Sequence, residues 1–520
     1  MIDAVVVGSG PNGLVAANVL ADRGWEVLVV EGAAAAGGAA SSAELIEAGF
    51  VNDRCSAFYP LGATPIAPIA QLGLEEWGLE WRHAPLVIAH PAPDGTCPVL
   101  TRGVDGTAAV LEQLHAGDAG RWRHLHERWT AVAQPLLQTL FGPCPPLRAA
   151  ARLAWAARSD PVRLVRFLLL PARQLTREAE LGPEASRLLA GLALHADLAP
   201  ENALSGFYGW LLAMLGHDHG FPVARGGASG ITDALVARLR ARGGDIRLES
   251  RVDRVIVRQG VAVGVRLESG EVLVARRAVL ADVDANRLYF DLLDRTTLPA
   301  GLATDLRHRH RDHATVKVDW NLDGPIPWTT ADARRAGTVH LVDSIDHLTA
   351  LESQLVCGIV PARPFLIVGQ QSMTDTSRQP AGAETAWAYT HVPDPLRSDE
   401  AGELAGRPEP TSWDRFADRM EERIEEHAPG FRRLIRGRYV AGPDDLERHD
   451  PNLVHGAIGG GTAQLHQQLV FRPTPGLARP ETFVRRLYLA SASAHPGGGV
   501  HGACGHNAAR AALLHARLGR

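Results

Sequence analysis

The chain has 520 residues, 46% hydrophobic and 21% charged, and a net charge of −5. That length exceeds one simple core and predicts at least two domains of ordinary globular composition. The balance of charge excludes the concentrated basic face of a nucleic-acid binder. No apolar run reaches the ~18 residues of a membrane span.

Five cysteines (Cys55, Cys97, Cys144, Cys357, Cys504) are scattered without metal-ligand spacing, which reads as reduced thiols in a cytoplasm. Met1 is followed directly by a strand pattern, so no secretory signal is expected. Lys317 is the single lysine in a chain that otherwise writes arginine. A base-composition bias explains the scarcity of lysine but not the survivor.

In chain order, the first element is an all-apolar strand, Ala4 to Val7, of the kind buried on both faces of a parallel sheet. It runs into Gly8-Ser9-Gly10-Pro11-Asn12-Gly13. Gly8 permits a tight turn, Gly10 a close approach to a diphosphate, and Gly13 close packing of helix on strand. A helix over Leu14 to Arg23 stops at Gly24 and offers its N-terminus to an anion. A second strand, Glu26 to Val30, ends at Glu31, a carboxylate suited to a ribose 2′-OH. Strand, loop, helix and acid together predict a dinucleotide site. Gly37-Gly38 extends the pattern, an extension that resembles FAD-binding enzymes of the glutathione-reductase-like structural family.

Within the first long insert, Asp160 and Pro161 start a short helix to about Pro171 with Arg163 and Arg166 on one side. It is either a lid or interface helix of a soluble protein or a peripheral membrane contact, and its shortness favours the former. Further on, Gly226-Gly227 precede a helix over Ile231 to Arg242. Strands follow at Asp245 to Glu249, Val252 to Arg258, Ala262 to Glu268, Glu271 to Ala275 and Arg277 to Ala281. No second GxGxxG follows any of them, which argues against a separate NAD(P) domain.

Two histidine groups, His217-Asp218-His219 and His308, His310, His313, invite a metal reading. No carboxylate or cysteine completes a familiar spacing, so solvated or helix-end roles are expected and no metal. In His313–Trp320, Thr315, Lys317 and Asp319 alternate with Val316 and Val318, which puts the lysine on the face opposite the valines. A compact, movable charge is something arginine cannot copy. The C-terminus offers a buried strand from Leu487 to Ala490, a bend at Pro496-Gly497-Gly498-Gly499, and a helix from about His501. That helix would point its positive end at the bend, where it can stabilise negative charge on a reduced flavin. His495 and His501 flank the bend, as an acid or base or as plain caps.

These segments carry a resemblance: GSGPNG (8–13), Glu31 with Gly37-Gly38, DRCSAFYPLG (53–62), PVARGG (222–227), GQQSMTD (369–375) and HPGGGVHGACGHNAA (495–509). Together they look like the phytoene desaturase/carotenoid isomerase group of flavoproteins, in its phytoene-dehydrogenase-related, pyridine nucleotide-disulphide oxidoreductase domain-containing branch. The resemblance implies an α/β fold with a glutathione-reductase-like, FAD-binding Rossmann domain built from 1–62, 222–290 and 480–520. An α+β substrate domain would take 63–221 and 291–479. FAD would be held by Gly8, Gly10, Pro11, Asn12, Gly13, Glu31, Gly37, Gly38, the Val252 backbone, Gly498, Gly499 and Val500. Many relatives place arginine after the Gly-Gly pair, whereas this chain has Ala39. In related amine oxidases a strand of similar form carries a lysine that holds a water at flavin N5, which makes Lys317 a catalytic candidate beside His501.

The expected activity is removal of hydride from a C–H bond of a largely apolar substrate by FAD. The electron acceptor is open between oxygen, a quinone and a protein. Amine oxidation, isomerisation by reduced flavin, and a flavin-free lipid-binding escort role are the alternatives. The expected location is the cytoplasm, with peripheral membrane association as its variant.

Overall fold

The computed structural model describes residues 2–519 apart from 56, 157, 159 and 405–409. Five strands form a parallel sheet in the spatial order Leu487–Leu489, Ala278–Ala281, Ala4–Val7, Val27–Val30, Asp245–Arg247. Strand alternation divides the first strand between two cores. Ala4 and Val6 pack with Leu14, Leu235 and Ala508, from helices Pro11–Ala21, Ser229–Ala241 and Ala503–Arg517. Val5 and Val7 pack instead with Val255 and Val265. Those valines belong to an antiparallel ribbon of Val252–Arg258, Val261–Leu267 and Val272–Val274. Apolar runs in this region read as strands because both faces of the sheet are covered.

The expected elements are present with small shifts at their ends. The first helix begins at Pro11, three residues earlier than the apolar spacing suggests, because Gly10 caps it and proline suits its first position. The last helix begins at Ala503, where Gly502 in the left-handed region ends the preceding bend.

A second sheet of seven strands lies elsewhere in the chain. Its spatial order is Ile435–Ala441, Ala314–Leu322, Glu384–Val392, Leu366–Gly369, Ala336–Leu341, Leu86–Ala89, Val99–Leu100. Only the Ala336–Leu341 and Leu86–Ala89 pair is parallel. Ala314–Leu322 is buried at all nine positions. Val316, Val318 and Trp320 face a core that includes Phe416 and Met420 of helix Pro410–Glu425. Thr315, Lys317 and Asp319 therefore point the other way, as the alternation predicts. Beyond its two strands in this sheet, the long first insert is mainly helical, and its helices Asp118–Phe141 and Ser205–His219 meet through an edge-on Trp129–Trp210 contact with ring centroids 5.3 Å apart. Among the described residues, no helix is long and apolar enough to cross a membrane.

Candidate active site

The C-terminal ends of the parallel strands converge on the glycine loop, the place where such sheets bind ligands. Gly8 sits at φ +95°, and a Cβ on Gly13 would lie 2.3 Å from the Gly8 carbonyl oxygen, so the turn needs both glycines. Glu31 accepts hydrogen bonds from the Ser9 N–H and hydroxyl and from the Ala33 N–H. This ties the acid at the end of the second strand to the loop. The Gly37 N–H donates to the Ser9 carbonyl, and the Ser250 N–H donates to the Glu31 carbonyl. The chain just before Val252 is thereby placed beside Glu31, while the Val252 side chain belongs to the core behind the sheet.

One carboxylate there was not visible in the sequence. Asp282, directly after the Ala278–Ala281 strand, accepts the Gly13 N–H at 2.7 Å. Burial pushes its pKa up to about 7 against that hydrogen bond, with Asp450 and Glu31 adding repulsion. Asp450 is raised as well, first by burial. The available signal was topological, since an acid at the C-terminal end of a neighbouring parallel strand must face the loop.

A cavity of about 390 Å³ opens from this loop. Its walls include Gly10, Pro11 and Asn12 on one side, Gly498, Gly499, Val500 and His501 on another, and Lys317 on a third. Glu31, Gly37, Gly38 and Val252 lie outside its wall. Leu61, Phe141, Leu211, Leu212, Phe221 and Trp387 make much of the surface apolar. The C-terminal bend is held close: a Cβ on Gly62 would fall 2.4 Å from the Val500 carbonyl oxygen.

Lys317 is 2% exposed. Its Nζ donates to the Asp53 carbonyl at 2.8 Å and pairs with Asp319, and it lies 5.7 Å from the Trp387 ring centre. Burial pushes Asp319 up to about 6 against the pull of Lys317. Ala39, the residue after the Gly-Gly pair, lines the same cavity with no charge to offer.

His501 is engaged at both ring nitrogens. Nε2 lies 3.2 Å from the Gly498 carbonyl oxygen, and Nδ1 accepts the Ala503 N–H at 3.0 Å. Burial lowers it to about 4, opposed by that carbonyl, so the ring is neutral. This is the geometry of a cap on the terminal helix.

Of the other histidines, His308 and His310 are exposed, and His217 and His219 lie in the last turn of their helix, in line with the expected solvated or helix-end roles. His217 ends its helix but is buried: Nε2 accepts the Trp122 indole N–H at 2.9 Å and Nδ1 donates to the Thr101 carbonyl. His310 stacks on His466. His313 lies 3.2 Å from Glu352, which outweighs burial and holds it up at about 9.

Sequence reading also missed Asp197 and His391. Asp197 lines the cavity with its backbone at φ +55°, and its carboxylate is 2.8 Å from His391 Nε2. Burial raises Asp197 against the pull of His391. Burial would lower His391, but Asp197 outweighs it and holds the imidazole above its ordinary value. Trp387, Tyr389 and His391 share one face of the strand that pairs with the Lys317 strand, with Tyr389 opposite Lys317.

A family model described as flavin containing amine oxidoreductase matches residues 12–316, more than half of the chain. The chain belongs to the flavin-containing amine oxidoreductase family. It is 28% identical to pyridine nucleotide-disulfide oxidoreductase domain-containing protein 2 of Mus musculus, over 98% of this chain and 92% of that protein. It is 26% identical to the neurosporene-forming phytoene desaturase of Cereibacter sphaeroides, over 96% of this chain and 92% of that protein. A putrescine oxidase solved with putrescine bound superposes with a TM-score of 0.63, at 16% identity, over 100% of this chain and 99% of that one. As a member of this family, the protein is an FAD-dependent oxidoreductase. The chain's residues fit FAD. The glycine loop and the N-terminus of the Pro11–Ala21 helix can cradle a diphosphate. The Asn12 Oδ1, buried in the cavity wall, has no hydrogen-bond partner among the described residues. The N-terminal end of Ala503–Arg517 faces the bend where a flavin pyrimidine edge can rest.

Proposed function

We propose that the protein dehydrogenates a largely apolar small molecule, taking hydride and proton from neighbouring atoms to leave a double bond. In this reading residues 1–62, 222–290 and 480–520 serve the cofactor, and 63–221 and 291–479 the substrate. The observation that carries it is the largely apolar cavity that joins the glycine loop to the C-terminal bend and has in its wall Asp197, which pairs with His391 behind the wall. Bound FAD supplies the hydride acceptor. Asp197 takes the proton, and His391 beside it stabilises the charge change. The aromatic and aliphatic wall excludes water and orients the chain of the substrate. Lys317 keeps two of its three N–H bonds on Asp53 and Asp319, which leaves one to direct a water or an acceptor into the cavity.

A cationic amine is the second substrate class, favoured by the stacked Trp387–Tyr389 pair, 5.8 Å between centroids. The experiment is an anaerobic titration of the FAD-loaded protein with an acyclic polyene, a monoterpene and putrescine, read as loss of flavin absorbance. Bleaching by the hydrocarbons and not by the diamine is expected, and bleaching by the diamine alone overturns the reading.

Delivery of such a substrate fits peripheral membrane contact. Helices Leu147–Ala156 and Pro161–Leu169 expose Leu147 (73%), Trp155 (71%) and Val162 (78%). Phe167 is buried, while Val165 and Leu169 are exposed, so the second helix keeps an apolar face that the core does not use.

A further inference from the structure

Arg472 is a buried arginine with no ion-pair partner among the described residues, Asp312 acting on it only from a distance. It is 1% exposed and lines the cavity with Gly498, Gly499 and Val500. Its N–H groups go to main-chain carbonyls: Nε to Ala492, one terminal nitrogen to Gly461 and Thr462, the other to Gly459 and Ala492. Among the described residues no carboxylate lies within ion-pair distance of it. The acids in the vicinity are already committed. Asp284 is paired with Arg309 and Arg311. Asp312 accepts the N–H groups of Gly459 and Gly461.

Carbonyl dipoles hold the guanidinium in place but carry no net charge. A cation without a counter-ion at this depth is costly. Burial, with Arg309 adding repulsion, pulls its pKa down to about 10. The guanidinium also touches the C-terminal bend: a Cβ on Gly497 would lie 2.9 Å from Arg472 Cζ. The charge therefore sits beside the main-chain segment that the helix N-terminus of Ala503–Arg517 follows. Two positive sources, one formal and one dipolar, converge on one part of the cavity.

We infer that Arg472 is a positioning charge that stabilises negative charge on the pyrimidine edge, N1 and C2=O, of the bound flavin. The inference rests on the FAD reading above and goes beyond it by naming the group that sets the flavin's electron affinity. In this account Arg472 raises the midpoint potential and favours any flavin form that is anionic at that edge. Its carbonyl contacts keep the loop at 459–462 and the segment at Ala492 in register beneath the bend.

Sulfite tests this without a substrate, because its addition to flavin N5 leaves negative charge on the pyrimidine edge. The FAD-loaded wild-type protein is titrated with sodium sulfite, and the radical formed on anaerobic photoreduction is identified by colour. A sulfite adduct and a red anionic radical are expected. In Arg472→Gln, once FAD-loaded, sulfite affinity should fall by about tenfold or more, the scale of a unit charge several ångströms away at an effective dielectric of about 20. A tenfold change in the two-electron equilibrium corresponds to a midpoint potential lower by about 30 mV. Arg472→Lys should stay near wild type. A blue neutral radical with no sulfite adduct in the wild type overturns the inference, whether or not the variants fold. So does an FAD-loaded Arg472→Gln protein with unchanged sulfite affinity and potential. A wild-type protein that shows no flavin absorbance after FAD is added overturns the FAD reading instead, and is distinguished by that spectrum.

Discussion

Lys317 and Asp282 show how single residues carry opposite risks. Lys317 and Asp319 form a buried pair in which each partner compensates the other's desolvation. Lys317→Met leaves Asp319 buried without its cation. It should destabilise the fold by about 3–5 kcal/mol, the usual cost of breaking such a pair from one side, and Lys317→Met with Asp319→Asn should recover most of the loss. Denaturant titrations of the two variants check this. If the single variant matches wild type, the pair contributes nothing to stability.

Asp282 is an acid whose native pKa, about 7, lies above its ordinary value. The folded protein therefore keeps a proton there that the unfolded chain loses between about pH 4 and 7. Its contribution to stability falls as pH rises through that window and is flat above it. A diphosphate placed at the same helix N-terminus favours the protonated acid further. FAD affinity should then decline with rising pH above 7, by up to about tenfold per unit, and Asp282→Asn should flatten the profile. Isothermal titration across pH 6–9 reads both, and identical profiles refute the coupling.

At the scale of elements, the dinucleotide unit was legible because its information is local. Strand, glycine loop, helix and acid lie within about 25 consecutive residues, and each position has one physical job. The terminal bend and helix were legible for the same reason. Lys317 could be assigned its face from alternation alone, though not its partner Asp53, which lies 264 positions away. Asp282, 269 positions from the Gly13 it contacts, follows from strand order, which sequence did not supply. Asp197 and His391 stayed hidden because they meet only when a turn at φ +55° lies over the second sheet. That His217 is buried at its helix end was not legible, because spacing carries no information about depth.

The exposed helices Leu147–Ala156 and Pro161–Leu169 belong to this scale too. Their apolar faces, rimmed by Arg148, Arg152 and Arg163, should bind vesicles containing phosphatidylglycerol, as measured by co-sedimentation. Replacing Trp155 and Val162 together by serine should abolish that binding while leaving the FAD spectrum intact. Equal sedimentation of the double variant would assign the surface no lipid role.

At the scale of the whole molecule, the two largest sheets both contribute to one cavity, the glycine loop coming from one and Lys317 and Tyr389 from the other. The first sheet draws its strands from three distant parts of the chain. This brings the glycine loop, Asp282 and the C-terminal bend together at one end. The second sheet turns one polar strip toward that end and buries its apolar face under a helix. Aromatic and aliphatic side chains make much of the cavity wall apolar, and its charged lining carries Asp197, Asp282, Asp284, Asp312 and Asp450 as well as Lys317 and Arg472.

The central claim is that this cavity dehydrogenates an apolar substrate, with Asp197 as the proton acceptor. Its most direct test is anaerobic flavin bleaching by an acyclic polyene, followed by stopped flow in wild type and in Asp197→Asn. The account predicts bleaching in wild type, and in the variant a normal FAD spectrum with bleaching slower by about 10²-fold or more. Equal rates in the two proteins would contradict it.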